Sequence, residues 1–226
     1  VLRAELGIEP AEETTALAAR IRAAGGTPRH NLPPAGALVG RTEESAIIQL
    51  RLLQADCRLL TITGAGGMGK TRLALHAAAQ AHRRGLFLDG VFLVELTAVT
   101  TVTGLLAACA SALGLQVADS KPLLPQLLAY LRSKELLFVL DNFDHLLDEA
   151  GTVVQILQQA PHVKLLITSR EALSVQPEWH LPIQGLPYPP PGAAGPGAAI
   201  SADAAEAYAG VQLFLARARA VRPHFA

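Results

Sequence analysis

An α/β fold, with a mainly parallel sheet sandwiched by helices, is what this sequence predicts, and two observations predict it. From Arg58 onward short apolar runs alternate with longer helical stretches, the rhythm of parallel strands covered on both faces. The first of these runs leads into a glycine-rich segment that opens a helix, at the strand end where open parallel sheets bind ligands.

The elements follow in order. In residues 1–26 the pairs Leu2/Leu6 and Leu17/Ile21 recur at i,i+4 spacing, Pro10 starts a second helix with Glu12 and Glu13 in its first turn, and Gly25-Gly26 ends it. Residues 27–36 carry three prolines and predict an extended linker at a domain boundary. Thr42 is placed to cap the next helix, with Glu43 and Glu44 in its first turn and Ala46, Ile47, Leu50 and Leu53 on one face. Strands are expected over 59–63, 91–96, 136–140 and 164–168, with a weaker fifth over 178–183, and helices over 70–83, 104–113, 123–132 and 152–159. The α/β unit therefore spans 37–188. Residues 189–203, rich in Pro, Gly and Ala, predict a flexible loop, and 204–226 begins a further helical subdomain with a helix to residue 221.

Composition bounds the function. The 226 residues are 50% apolar, enough for a sizeable core, and 19 basic residues balance 19 acidic ones, so no nucleic-acid or anionic-membrane surface is advertised. Cys57 and Cys109 lack disulfide-framework or zinc spacing and read as core residues of a protein in a reducing compartment. No apolar run is long enough to span a bilayer and no secretory signal opens the chain, so a cytoplasmic protein is expected. The chain opens at Val1 in a helical pattern and its single methionine is Met68, which together predict a piece of a larger protein.

Three constellations carry chemistry. Gly64-Ala65-Gly66-Gly67-Met68-Gly69-Lys70-Thr71 fits G-x-x-x-x-G-K-[ST] between a predicted strand and a predicted helix, the context a phosphate-binding P-loop needs. The glycines let backbone N–H groups turn toward phosphate oxygens, Lys70 reaches the β- and γ-phosphates, and the Thr71 hydroxyl binds Mg²⁺; Arg72 follows directly. The apolar run 136–140 then delivers Asp141 to a strand end, where it serves the Mg²⁺ shell. Asp144, three residues on, is either the carboxylate that orients an attacking water or the N-cap of a helix over 144–149. The run 164–168 ends in Ser169 and Arg170, and Arg170 is placed to sense a γ-phosphate or else to pair with Glu171. His30, His76, His82, His162, His180 and His224 are scattered without metal-binding spacing, and Trp179 reads as core.

Taken together, Leu38-Val39-Gly40-Arg41-Thr42-Glu43-Glu44, the P-loop, the segment 137–145 and Leu166-Ile167-Thr168-Ser169-Arg170 resemble the STAND class of signal-transduction ATPases, in its NB-ARC-like bacterial regulator branch. The resemblance covers about residues 37–186. It implies that Val39, Gly40 and Arg41 lie over the adenine and ribose, that Arg170 contacts the terminal phosphate, and that the Lys164 strand lies between the Leu59 and Leu136 strands. Residues 1–26 resemble the end of a bacterial transcriptional activator domain, which implies a regulator with further domains on both sides. The resemblance thus implies an ATP/ADP- and Mg²⁺-dependent switch with slow ATPase activity, acting on neighbouring domains of the same polypeptide, with oligomerisation in an active state and no DNA contact by this part. Asn142 stands where many relatives carry a second acidic residue, which implies slow hydrolysis.

A P-loop kinase or phosphotransferase is the alternative, although no arginine-rich lid is evident. A GTPase ranks lower because no N-K-x-D segment occurs.

Overall fold

The computed structural model describes residues 29–34, 36–118, 121–190 and 201–222. The two helices expected within 1–26, and residues 191–200 of the predicted loop, lie outside the described residues.

The order of elements is α1 (Thr42–Leu53), β1 (Leu59–Thr63), α2 (Lys70–Arg83), β2 (Gly90–Glu95), α3 (Val102–Leu113), α4 (Leu123–Leu131), β3 (Leu136–Asp141), α5 (Ala150–Gln159), β4 (Lys164–Ser169), β5 (Glu178–Pro182), α6 (Ala202–Glu206) and α7 (Ala209–Val221). The five strands form one sheet in the order β2-β3-β4-β1-β5. Every pairing is parallel, with Thr63 opposite Ser169 and Glu95 opposite Asp141. β4 lies between β1 and β3, as the resemblance implies. The chain leaves β1 toward β2 on one side but crosses from β4 to β5 on the other, so a topological switch point opens at the β1/β4 strand ends.

Strand residues alternate between two cores. Leu60, Ile62, Val91, Leu93, Leu137, Val139 and Leu166 pack under α1 and α2. Phe92, Val94, Leu136, Phe138, Leu140, Leu165 and Ile167 pack under α3, α4 and α5. Burial on both faces is why β1 to β4 read as largely apolar runs rather than as alternating ones. At roughly 25 cal/mol per Å² of apolar surface, these two layers are the main stabilising contribution. Cys57 and Cys109 are both buried in them, and burial pushes the Cys109 thiol up to about 12.

Four expectations are corrected. α1 begins at Thr42, so the cap position falls on Arg41, whose side chain accepts no bond from the helix's first backbone N–H groups. The same helix buries Ser45, Ile48, Gln49 and Leu52, leaving Ile47, Leu50 and Leu53 exposed. Its orientation follows from the polar anchors: Gln49 Nε2 donates to Ala77 O of α2 at 2.9 Å, and Arg41 is tied beneath the P-loop. Residues 144–149 form two short 3₁₀ turns, Phe143–His145 and Leu147–Glu149, instead of one capped helix. The last helix is broken, because Tyr208 is extended (φ −88°, ψ 129°) between α6 and α7.

The predicted linker is docked along much of its length. Arg29 O accepts from Val91 N at 3.0 Å, and the Asn31 side chain accepts from Leu93 N at 2.6 Å and donates to Leu93 O at 2.8 Å. Farther on, Arg72 donates to Ala37 O from Nε (3.1 Å) and Nη2 (2.6 Å), which fixes the chain beside the start of α2.

Candidate nucleotide-binding site

The loop between β1 and α2 is shaped by its glycines. Gly67 (φ 79°) and Gly69 (φ 86°) occupy the left-handed region that a side chain disfavours, and Gly69 is the residue from which α2 starts. A Cβ built on Gly66, Gly67 or Gly69 would meet nothing within 4 Å, so the backbone surrounds open space. That space is a cavity of about 540 Å³ lined by the loop, by Lys70, Thr71 and Arg72, and by Asn142, Asp144, Thr168 and Arg170 from the ends of β3 and β4. It lies at the N-terminus of α2, whose free N–H groups and dipole favour an anion. Lys70 Nζ folds back onto the loop, donating to Gly64 O (2.7 Å) and Ala65 O (3.1 Å).

The expected metal ligands meet. Thr71 Oγ1 donates to Asp141 Oδ1 at 2.7 Å. Two hard oxygens side by side, with Thr71 lining the cavity, suit Mg²⁺, which commonly takes one or two protein oxygens and completes its shell with water and phosphate. The buried Thr168, not singled out in the sequence, fixes this arrangement: its hydroxyl donates to Asp141 Oδ1 (2.6 Å) and accepts from Asn142 N (2.9 Å). Asn142 itself is left-handed (φ 66°), which turns the chain sharply after β3.

Asp144 and Arg170 form a pair. Asp144 Oδ1 accepts from the Arg170 backbone N–H, and Oδ2 lies 3.2 Å from Arg170 Nε. The expected N-cap is absent, since this carboxylate faces β4 rather than the following turn, and the alternative Glu171 partner for Arg170 is replaced by Asp144.

A second, apolar pocket of about 250 Å³ adjoins the first. Leu38, Val39, Met68, Leu186 and Leu213 line it, and it shares Gly67, Gly69 and Arg72 with the phosphate cavity. Arg41 also borders it, but its guanidinium is held by Glu44 Oε1 (2.6 Å), Met68 O (3.1 Å) and Gln184 O. Gly40 (φ 65°) allows a close approach: a Cβ there would lie 2.2 Å from Ala209 Cβ at the start of α7. Gly210 N in turn donates to Pro187 O at 2.9 Å. The wall formed by Gly185, Leu186, Gly210 and Leu213 was not anticipated, and a Gly-Leu-Pro segment after the last strand is the only local signal for part of it.

Among the described residues no cluster of three or more His, Cys, Asp or Glu side chains could hold a metal by itself, and no described helix is long and apolar enough to cross a membrane.

A family model described as an AAA domain matches residues 53–174. A Mycobacterium tuberculosis protein named as a candidate HTH-type transcriptional regulator is 37% identical over 136 residues, 59% of this chain and 15% of its own length. An uncharacterized protein of the same organism is 34% identical over 192 residues, 83% of this chain and 42% of its own. This chain thus spans less than half the length of these relatives. Among solved structures, the Aeropyrum pernix ORC2 protein aligns with a TM-score of 0.48 at 16% identity over 67% of this chain and 49% of its own. A STAND protein with a tetratricopeptide repeat sensor from Pyrococcus horikoshii aligns with a TM-score of 0.47 at 18% identity, over 69% and 24% respectively.

Proposed function

Because this chain belongs to the AAA domain family, we propose that it is an adenine-nucleotide switch of the NB-ARC-like STAND type within a longer transcription regulator. One observation carries the reading: the phosphate cavity and the apolar pocket meet along Gly67, Gly69 and Arg72, so a single nucleoside triphosphate spans both. The phosphates take the N–H groups at the start of α2, and Lys70 exchanges the carbonyls of Gly64 and Ala65 for the β- and γ-phosphates. Leu38, Val39, Met68, Leu186 and Leu213 enclose the base by apolar contact. Thr71 and Asp141 would hold Mg²⁺, which neutralises developing phosphate charge, and Arg170 touches the terminal phosphate.

Turnover is slow. Asn142, not an acid, follows Asp141, and Asp144, the carboxylate lining the phosphate cavity among the described residues, is already engaged by Arg170. The output is conformational: α7 rests on Gly40 and Pro187 beside the base pocket, so exchange of nucleotide changes how the following part of the polypeptide sits. ATP and ADP shift that balance only by their difference in affinity for the two arrangements. The naming of a mycobacterial relative as a candidate HTH-type regulator supports the setting in transcription control, and the zero net charge supports leaving DNA contact to other domains.

Calorimetric titration of ATP, ADP and GTP, with and without Mg²⁺, into the wild-type chain and Lys70→Ala tests this. Adenine nucleotides binding more tightly than GTP, with binding lost in the variant, is the expected result. Equal GTP binding, or undiminished binding by Lys70→Ala, overturns it.

A further inference from the structure

We infer that Asp144 is a positioning residue for Arg170 and sets the preference for triphosphate over diphosphate, and does not act as the carboxylate that orients the attacking water. The inference rests on the nucleotide-switch reading of this site. Asp144 sits in the 3₁₀ turn after β3, and Arg170 directly follows the neighbouring strand β4, so parallel β3/β4 pairing brings them face to face. The carboxylate uses one oxygen on the Arg170 backbone N–H and the other on Nε. This two-point grip fixes both where the residue starts and which way its side chain leaves. It also uses only the inner edge of the guanidinium. The two terminal nitrogens have no protein partner among the described residues, and the side chain, 70% exposed, lines the same phosphate cavity as Lys70.

The asymmetry of burial matters. Asp144 is the sheltered member, at 19% exposure, and Arg170 the open one. A carboxylate with both oxygens committed to a neighbour is poorly placed to accept hydrogen bonds from a water as well. An arginine held by its backbone and Nε is instead pre-organised, so that less side-chain freedom is lost when a terminal phosphate binds. ADP has no phosphate at that position and should be indifferent to the grip.

The test compares Asp144→Ala, Asp144→Asn, Arg170→Ala and the double variant Asp144→Ala/Arg170→Ala, using a non-hydrolysable ATP analogue and ADP as probes. Arg170→Ala should weaken the ATP analogue by roughly 10- to 100-fold, the range of a hydrogen bond to a charged group, and leave ADP unchanged. Asp144→Ala should weaken the analogue by about 3- to 10-fold, again without effect on ADP, and should add nothing in the Arg170→Ala background. Asp144→Asn, which keeps an acceptor for the backbone N–H and loses the ion pair, should fall between wild type and Asp144→Ala, and it remains usable if the alanine variant fails to fold. Without nucleotide, NMR should detect a protected Arg170 Nε–H in the wild type that exchanges rapidly in the Asp144 variants.

An Asp144 variant that tightens the ATP analogue would overturn the inference, since Asp144 would then compete with phosphate for Arg170. So would equal losses with and without Arg170, or an Nε–H that exchanges freely in the wild type. Failure of Lys70→Ala to lose binding would instead count against the switch reading itself, and the Nε–H measurement would still decide the Asp144 grip.

Discussion

Replacing Thr168 by valine removes one hydroxyl and almost no volume, which makes it a clean probe of the β3/β4 junction. The hydroxyl donates to the Asp141 carboxylate at 2.6 Å and accepts from Asn142 N at 2.9 Å, while Thr168 itself is 1% exposed. A hydrogen bond to a charged acceptor contributes about 1.5–3 kcal/mol, and the lower end applies because Asp141 is partly exposed. Stranding the half-buried Asn142 N–H costs about 1 kcal/mol more. The sum is about 2.5 kcal/mol, which corresponds to a Tm lower by about 5–10 °C for a domain of this size. Thr168→Ser keeps both bonds and loses one methyl, a cost of about 1 kcal/mol. Urea unfolding of the two variants, with nucleotide binding measured in Mg²⁺, reads the difference. If Thr168→Val is no less stable than Thr168→Ser, or binds Mg²⁺-nucleotide as well as wild type, the hydroxyl does not organise the site.

Ile48→Ala, fully buried, should cost about 2–5 kcal/mol, whereas Leu50→Ala two residues on, with Leu50 64% exposed, should stay within about 0.5 kcal/mol in the same unfolding assay. Gly40→Ala introduces left-handed strain of about 1–2 kcal/mol and a contact with Ala209; hydrogen exchange over 209–221 should accelerate while the central strands stay protected. Neither Cys57 nor Cys109 should react with a thiol reagent in the native protein, because burial raises both thiols, and both should react once guanidinium unfolds it. His82 is held below its ordinary value of 6.5 by burial, then by His30 and Arg83. The unfolded chain therefore takes up that proton first, and the contribution is complete above the ordinary value and lost as pH falls from it through the lowered folded value. His82→Gln should flatten the decline in urea midpoint as pH falls below the ordinary value of 6.5.

β1 to β4 were legible because each is buried on both faces, β3 as an unbroken apolar run and β1 with only buried threonines among its leucines and isoleucine, whereas the half-exposed edge strand β5 gave a weaker signal. The P-loop was legible for a different reason, since its glycines, lysine and threonine are contiguous. What escaped were features created by adjacency in space. Thr168 resembles any strand threonine until β4 is laid beside β3, and Leu186 and Leu213 meet only after α7 folds back on Gly40. On α1 apolar periodicity pointed the wrong way. Ser45 and Gln49 went inside because Gln49 finds the Ala77 carbonyl and Arg41 anchors the helix start, and these bonds, with Ile48 and Leu52, outweigh exposing Leu50.

Asn31 has a consequence for how this domain is handled. β2 is the outermost strand on its side of the sheet, and a flat apolar strand with free N–H and C=O groups is a template for joining another chain. The Asn31 side chain and Arg29 carbonyl occupy those groups at Val91 and Leu93. A domain trimmed to begin at residue 37, where sequence boundaries suggest cutting, would expose Val91 and Leu93 for strand addition. It should self-associate with rising concentration even though its nucleotide cavity keeps its P-loop and strand-end residues, whereas a chain beginning before residue 29 should remain dispersed.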